Sequence, residues 1–99
     1  MDTVIIHDGF QPINFDHTKI IRSQKTQGES LFTNGLIYDV KEVRKSGFPT
    51  EIQACCMYQI RITMSLNSER FVTSAQCQCN YGFGGQCKHS YALWLYLNK

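Results

Sequence analysis

The sequence predicts an α+β fold: a small antiparallel sheet of three or four strands that ends in a strand–strand–helix (ββα) unit, preceded by a short N-terminal helix or arm. Three observations carry this. Tyr58, Ile60, Ile62, Met64 and Leu66 alternate with Gln59, Arg61, Thr63 and Ser65, the period-two pattern of a half-buried strand. His89, Ala92, Leu93, Tyr96 and Leu97 recur at i, i+3, i+4, i+7 and i+8, the spacing of one buried helix face. Between them lie Cys77-Gln78-Cys79 and Cys87-Lys88-His89, separated by seven residues of which three are glycine.

The elements follow in order. Asp16 is placed to cap a short helix over about 17–26, which would set Lys19, Arg22 and Lys25 along one side. A solvated arm is the alternative for this stretch, and Gln24–Ser30, polar and containing Gly28, reads as a connector. From Asn34-Gly35 the composition turns to β-branched and aromatic residues, so Leu36–Arg44 reads as a strand, and Lys45–Pro49 as a turn. Glu51–Met57 reads as a short second strand. Asn67-Ser68 is a turn candidate, and Arg70–Gln76 returns the chain to Cys77. Residues 1–33 therefore form an arm or short helix and 34–99 a metal-binding domain, one compact domain overall.

Bulk properties narrow the function. With 99 residues the chain makes one domain, whose core alone gives a thin margin of stability. Hydrophobic content of 42% and charged content of 18% are those of a globular chain. A net charge of +2 makes no case by itself for nucleic acid; only its distribution could. Five cysteines are an odd number for a disulfide framework, and the first residues have neither the basic nor the long apolar stretch of a secretion signal. No apolar run is long enough to cross a bilayer. We expect an intracellular protein, nuclear or cytoplasmic, with no membrane and no small-molecule substrate. A chain that stops directly after its last helix is expected to be part of something longer.

The Cys/His cluster carries the chemistry. Residues i and i+2 share one side of a strand, so Cys77 and Cys79 at a strand end can aim at one point. On a helix, i and i+2 lie about 200° apart, so Cys87 must precede the first turn and His89 lie within it. Three thiolates and an imidazole make a tetrahedral donor set for one structural Zn²⁺. A Cys79–Cys87 disulfide would leave Cys77 unpaired, a nucleophilic Cys87 with His89 as base has no evident third group to orient it, and an iron–sulfur cluster normally takes a fourth cysteine. Four protein ligands close the shell, whereas catalytic zinc keeps a position open, so no enzymatic activity is expected. Cys55 and Cys56 are adjacent and should point to opposite sheet faces, one into the core; His7 and His17 read as ordinary surface residues.

Cys77-x-Cys79, a seven-residue spacer and Cys87-x-His89 running into an apolar helix resemble the SWIM zinc-finger family, over roughly residues 58–97. The family's ligands match Cys77, Cys79, Cys87 and His89 one for one. The strand Gly35–Arg44 and the following Ile52-Gln53-Ala54-Cys55 are similar to what precedes the finger beside YqaJ-like viral recombinase or nuclease domains, although the nuclease itself is absent from these 99 residues. The resemblance implies a zinc module that binds DNA or other proteins.

Two functions follow. As a nucleic-acid module, DNA above all, the chain offers Lys88 beside the metal, Arg61 and Arg70 on the hairpin, and Lys41, Arg44 and Lys45; the plain alternative is scattered surface charge. As a protein-interaction module it offers Tyr91, Trp94 and Leu95, which lie away from the predicted helix core where polar residues are expected, unless the N-terminal third folds over them.

Overall fold

The computed structural model describes residues 2–57, 60–79 and 87–98. Its elements run β1 (Thr3–Ile6), α1 (Arg22–Thr33), β2 (Ile37–Lys45), β3 (Thr50–Cys56), β4 (Ile60–Leu66), β5 (Val72–Cys77) and α2 (Lys88–Leu97). The strands form one antiparallel sheet in the spatial order β1-β2-β3-β4-β5. The α+β class is as predicted, with five strands rather than three or four. The additional strand is β1, whose Thr-Val-Ile-Ile run has the β-branched composition of a strand. Tyr58 and Gln59 of the predicted alternation, and the seven-residue spacer 80–86 with its three glycines, lie outside the described residues.

Strand register divides the sheet into two faces. Glu42, Ile52, Met64 and Ala75 stand in one cross-strand row, with Ala54, Ile62 and Cys77 in the next. Ile52, Met64, Ala54 and Ile62 in these rows are buried under α2, with Ala92, Leu93 and Leu97 in the same apolar cluster. Lys41, Gln53 and Thr63 form a row on the opposite face, beside the row of Tyr38, Cys55 and Arg61. Cys55 and Cys56 split between the faces as expected, Cys56 fully buried and Cys55 half-buried.

The N-terminal third departs most from its prediction. Asp16 caps no helix: its Oδ1 accepts from the Thr18 backbone N–H (3.1 Å) and hydroxyl (2.6 Å), which locks a turn closed by Ile20 N–H donating to His17 O. Those hydroxyl and amide bonds hold the exposed Asp16 carboxyl below its usual range. The helix starts only after Ile21 and runs through the stretch read as a connector. It ends in a Schellman motif, with Leu36 N–H donating to Leu31 O and Gly35 N–H to Phe32 O around Gly35 at φ +68°. Lys19 therefore sits in the preceding turn, while Arg22 and Lys25 share α1.

Gly28 explains why a helix forms where the local composition argues against one. It is buried at the α1–α2 contact, and a Cβ there would stand 2.8 Å from the Lys88 carbonyl oxygen and 2.9 Å from the Tyr91 ring. Helical propensity forfeited at Gly28 is offset by a closer approach of the two helices. Gly28→Ala would add about 1 kcal/mol of propensity, but the contact is with backbone and has to give way. We expect a net destabilisation of about 1–3 kcal/mol in chemical denaturation; a stabilised variant would show that the helices do not meet this closely.

Two further devices fasten the N-terminal segment. Both backbone groups of Ile13 are taken by α2: its N–H donates to Asn98 Oδ1 (3.0 Å) and its carbonyl accepts from Trp94 Nε1 (3.3 Å). Asn14 forms a parallel bridge to Phe71 at the start of β5. Arg70, left-handed at φ +63° in the β4–β5 turn, donates to the carbonyls of Pro12 (3.1 Å) and Gln11 (2.9 Å). The same guanidinium grips both oxygens of Glu42, at 2.8 and 3.1 Å, and Arg44 Nε adds a 2.7 Å bond. Glu42 is 1% exposed. Burial pushes its carboxyl up, yet the bonds from Arg70 and Arg44 outweigh burial and hold it below the ordinary range. The β4–β5 turn itself spans Asn67–Phe71, wider than the two-residue turn expected, because Asn67 Oδ1 accepts from the N–H groups of both Glu69 and Phe71.

Candidate metal centre

β5 delivers Cys77 on the core-facing side of the sheet, opposite Ile62, and Cys79 follows two residues beyond its end. Cys87 is the N-cap of α2 in extended conformation (φ −131°, ψ 168°), and His89 lies in the first turn. This is the placement that the i, i+2 spacing demands of a helix start. Cys77, Cys79, Cys87 and His89 bring their ligand atoms within 4.8 Å of one another and could hold one metal ion. Cys77 Sγ stands 3.5 Å from His89 Nδ1. Cys87 is 0% and His89 4% exposed, while Cys77 and Cys79 are half-buried. None of the five cysteines is in a disulfide, so the Cys79–Cys87 bridge is not formed.

The cluster is electrostatically asymmetric. The Cys77 thiol donates to Cys87, which lowers the Cys87 pKa well below the ordinary thiol range and raises that of Cys77. His89 and the hydroxyl and backbone N–H of Ser90 add to the stabilisation of the Cys87 thiolate. Ser90 Oγ lies 3.5 Å from Cys87 Sγ. Oriented donors at a helix start favour negative charge here. A cation that displaces the remaining protons would complete what the donors begin. Cys56, fully buried nearby, is pushed up to about 11 by burial and by the Cys87 charge, so it stays a neutral core thiol.

α1 braces this helix start. Gln24 Oε1 accepts from the Lys88 backbone N–H at 3.2 Å, and Gln27 Oε1 accepts from Lys88 Nζ at 3.0 Å. The metal-side end of α2 is thus capped by side chains from a helix some sixty residues earlier in the chain. Sequence reasoning missed Gln24 and Gln27 because it placed them in a connector. It also missed Ser90, for which the only signal is its position three residues after Cys87.

The predicted surface residues are dispersed. Arg70 and Arg44 are committed to Glu42, and Arg70 also to the N-terminal backbone. Lys88 is directed to Gln27. Lys41 and Arg61 line one concavity on the outer sheet face, and Lys45 is exposed at the end of β2. Tyr91 is buried, Trp94 and Leu95 half-buried. The Trp94 ring stacks 4.7 Å from His17, and Tyr91 lies 5.5 Å from the same imidazole. The N-terminal third therefore covers Tyr91 and Trp94, and His17, read as a surface residue, is wedged between helix aromatics with a buried Nδ1 that has no hydrogen-bond partner.

No helix among the described residues is long and apolar enough to cross a membrane. Comparison with protein-family models, curated proteins and solved structures gives no match for this chain.

Proposed function

We propose that the chain is a structural-zinc module of the SWIM type that binds nucleic acid, DNA above all. The observation that carries the zinc reading is the convergence of Cys77, Cys79, Cys87 and His89 at the junction of β5 and α2. Three thiolates with one imidazole match zinc better than the harder divalent cations, which take oxygen ligands. Zinc–sulfur and zinc–nitrogen bonds of ordinary length put a tetrahedral S···N edge near 3.6 Å, and Cys77 Sγ lies 3.5 Å from His89 Nδ1. Four protein ligands leave no coordination position for a substrate, which supports a structural role for the ion and a module without catalytic activity.

The nucleic-acid reading is supported by the exposed cationic groups of the sheet, Arg61 and Lys45 with the half-buried Lys41, and by the family resemblance. It is tested by fluorescence anisotropy of labelled oligonucleotides against salt. The expected result is a log–log slope near −0.9 per phosphate neutralised on duplex, or about −0.7 on single strands. A flat response, or no binding to any strand at low salt, would contradict it.

A further inference from the structure

We propose that the outer face of the sheet, rather than the metal-proximal Lys88, is the nucleic-acid site, and that it takes single-stranded nucleic acid; this rests on the nucleic-acid reading above. The concavity there measures about 650 Å³ and is lined by Asp39, Lys41, Gln53, Cys55, Arg61 and Thr63 among others. That is within the size range of small-molecule sites, about 300–1,000 Å³. Its two cations come from different strands: Lys41 on β2 in the row with Gln53 and Thr63, and Arg61 on β4 in the row with Cys55 and Tyr38. β3 lies between these strands, so the two cations are spaced across the face rather than side by side.

Tyr38 supplies what a backbone-only site lacks. It is 37% exposed, and its hydroxyl donates to the Met57 carbonyl at 3.2 Å, which fixes the ring at the end of the row containing Arg61. Tyr38 stands outside the lining of the concavity, at the β2 end of the row that Arg61 ends on β4, and an anchored aromatic on an open sheet is a platform for an unstacked base. Gln53 is held by a 3.1 Å bond from its Nε2 to Glu51, and Thr63 stands beside it, so polar groups are positioned for base edges.

The backbone is distorted at this place. The β2–β3 register shifts between Tyr38 and Lys41, and Asp39 adopts φ +53°. A left-handed non-glycine residue in a bulge re-aims the neighbouring side chains and is common next to binding sites. The Asp39 carboxylate lining the concavity repels phosphate but accepts from base amino groups, and only a strand with unstacked bases offers those groups together with a free base face for Tyr38. This combination favours a single strand over a duplex or a bare phosphate.

The test uses the zinc-loaded full chain and a fluorescein-labelled single strand of about 12 nucleotides, a duplex of the same sequence and a free mononucleotide. Lys41→Ala/Arg61→Ala is expected to make the salt slope shallower by about 1.4. Tyr38→Ala is expected to weaken binding about fivefold or more. Zinc content and melting temperature should be unchanged in all variants, and Lys19→Ala/Arg22→Ala, on the N-terminal side, should bind as the parent does. If Lys19→Ala/Arg22→Ala loses binding while Lys41→Ala/Arg61→Ala retains it, the placement is overturned and the nucleic-acid reading stands. Equal affinity for the duplex, or a mononucleotide that binds as tightly as the strand, overturns the single-strand assignment alone. A parent protein that binds no strand at low salt overturns both.

Discussion

Stripping zinc with a strong chelator is expected to unfold the unit formed by β5 and α2, and Cys87→Ser is expected to cost about as much stability as losing the ion. Cys77 and Cys79 stand at the end of one element and Cys87 and His89 at the start of another, so an ion held by all four would be their shared point. Structural zinc contributes on the order of 10–16 kcal/mol to folding in zinc-finger peptides at neutral pH, whereas a domain of this size has about 5–15 kcal/mol in total. Cys87 is the residue whose loss should matter most, because it is fully buried and its thiol is held well below the ordinary range by the Cys77 hydrogen bond. Circular dichroism melts with and without chelator measure the effect. The α2 signal should fall on chelation, and the same melting temperature in both conditions would mean that the fold stands without a metal.

Arg70→Ala should be the most damaging substitution away from the metal, at about 3–5 kcal/mol. One guanidinium holds both oxygens of a 1%-exposed carboxylate and two carbonyls of the N-terminal segment. Removing it leaves Glu42 buried with Arg44 alone and leaves Gln11 and Pro12 without that donor. Lysine cannot reproduce the fork, so Arg70→Lys should recover only a part. Arg70→Gly should be somewhat less harmful than Arg70→Ala, because glycine suits the left-handed backbone at this position.

The pH dependence has a definite sign. Glu42 is held below its ordinary value in the folded state, so the unfolded chain binds the proton more readily. Its contribution is therefore present above the unfolded carboxylate pKa and is lost as pH falls through the folded one. Urea titrations between neutral pH and pH about 3 should show this loss in the parent. In Arg70→Ala the same acidification should cost less stability; an identical pH profile in the two proteins would show that the pair does not contribute.

The candidate metal ligands were legible because their spacing is a geometric statement. Cys-x-Cys suits a strand end, and Cys-x-His converges only when it straddles a helix start, which is where α2 begins. The alternation Ile62-Met64-Leu66 likewise marks a buried strand face without help from the rest of the chain. What was not legible depends on contacts between distant segments. Gly28 and its polar neighbours read as a connector until α2 is brought against them. Asp16 looks like a helix cap, yet Thr18 lies near enough to take its carboxylate first. Glu42 occupies a core-facing strand position beside Val40, a signal that a buried carboxylate needs a cation, but nothing local identifies Arg70 as its partner. Tyr91 and Trp94 looked unpartnered because the segment that covers them lies at the other end of the chain.

Whether Cys77, Cys79, Cys87 and His89 hold a zinc ion is measured by inductively coupled plasma mass spectrometry of the purified chain, combined with native mass spectrometry and thiol alkylation. The expected result is one zinc per chain, bound with displacement of protons from Cys77, Cys79 and Cys87, and those three thiols protected from alkylation until a chelator is added. A chain that purifies and melts unchanged without zinc, with all three thiols equally reactive before and after chelation, would contradict it.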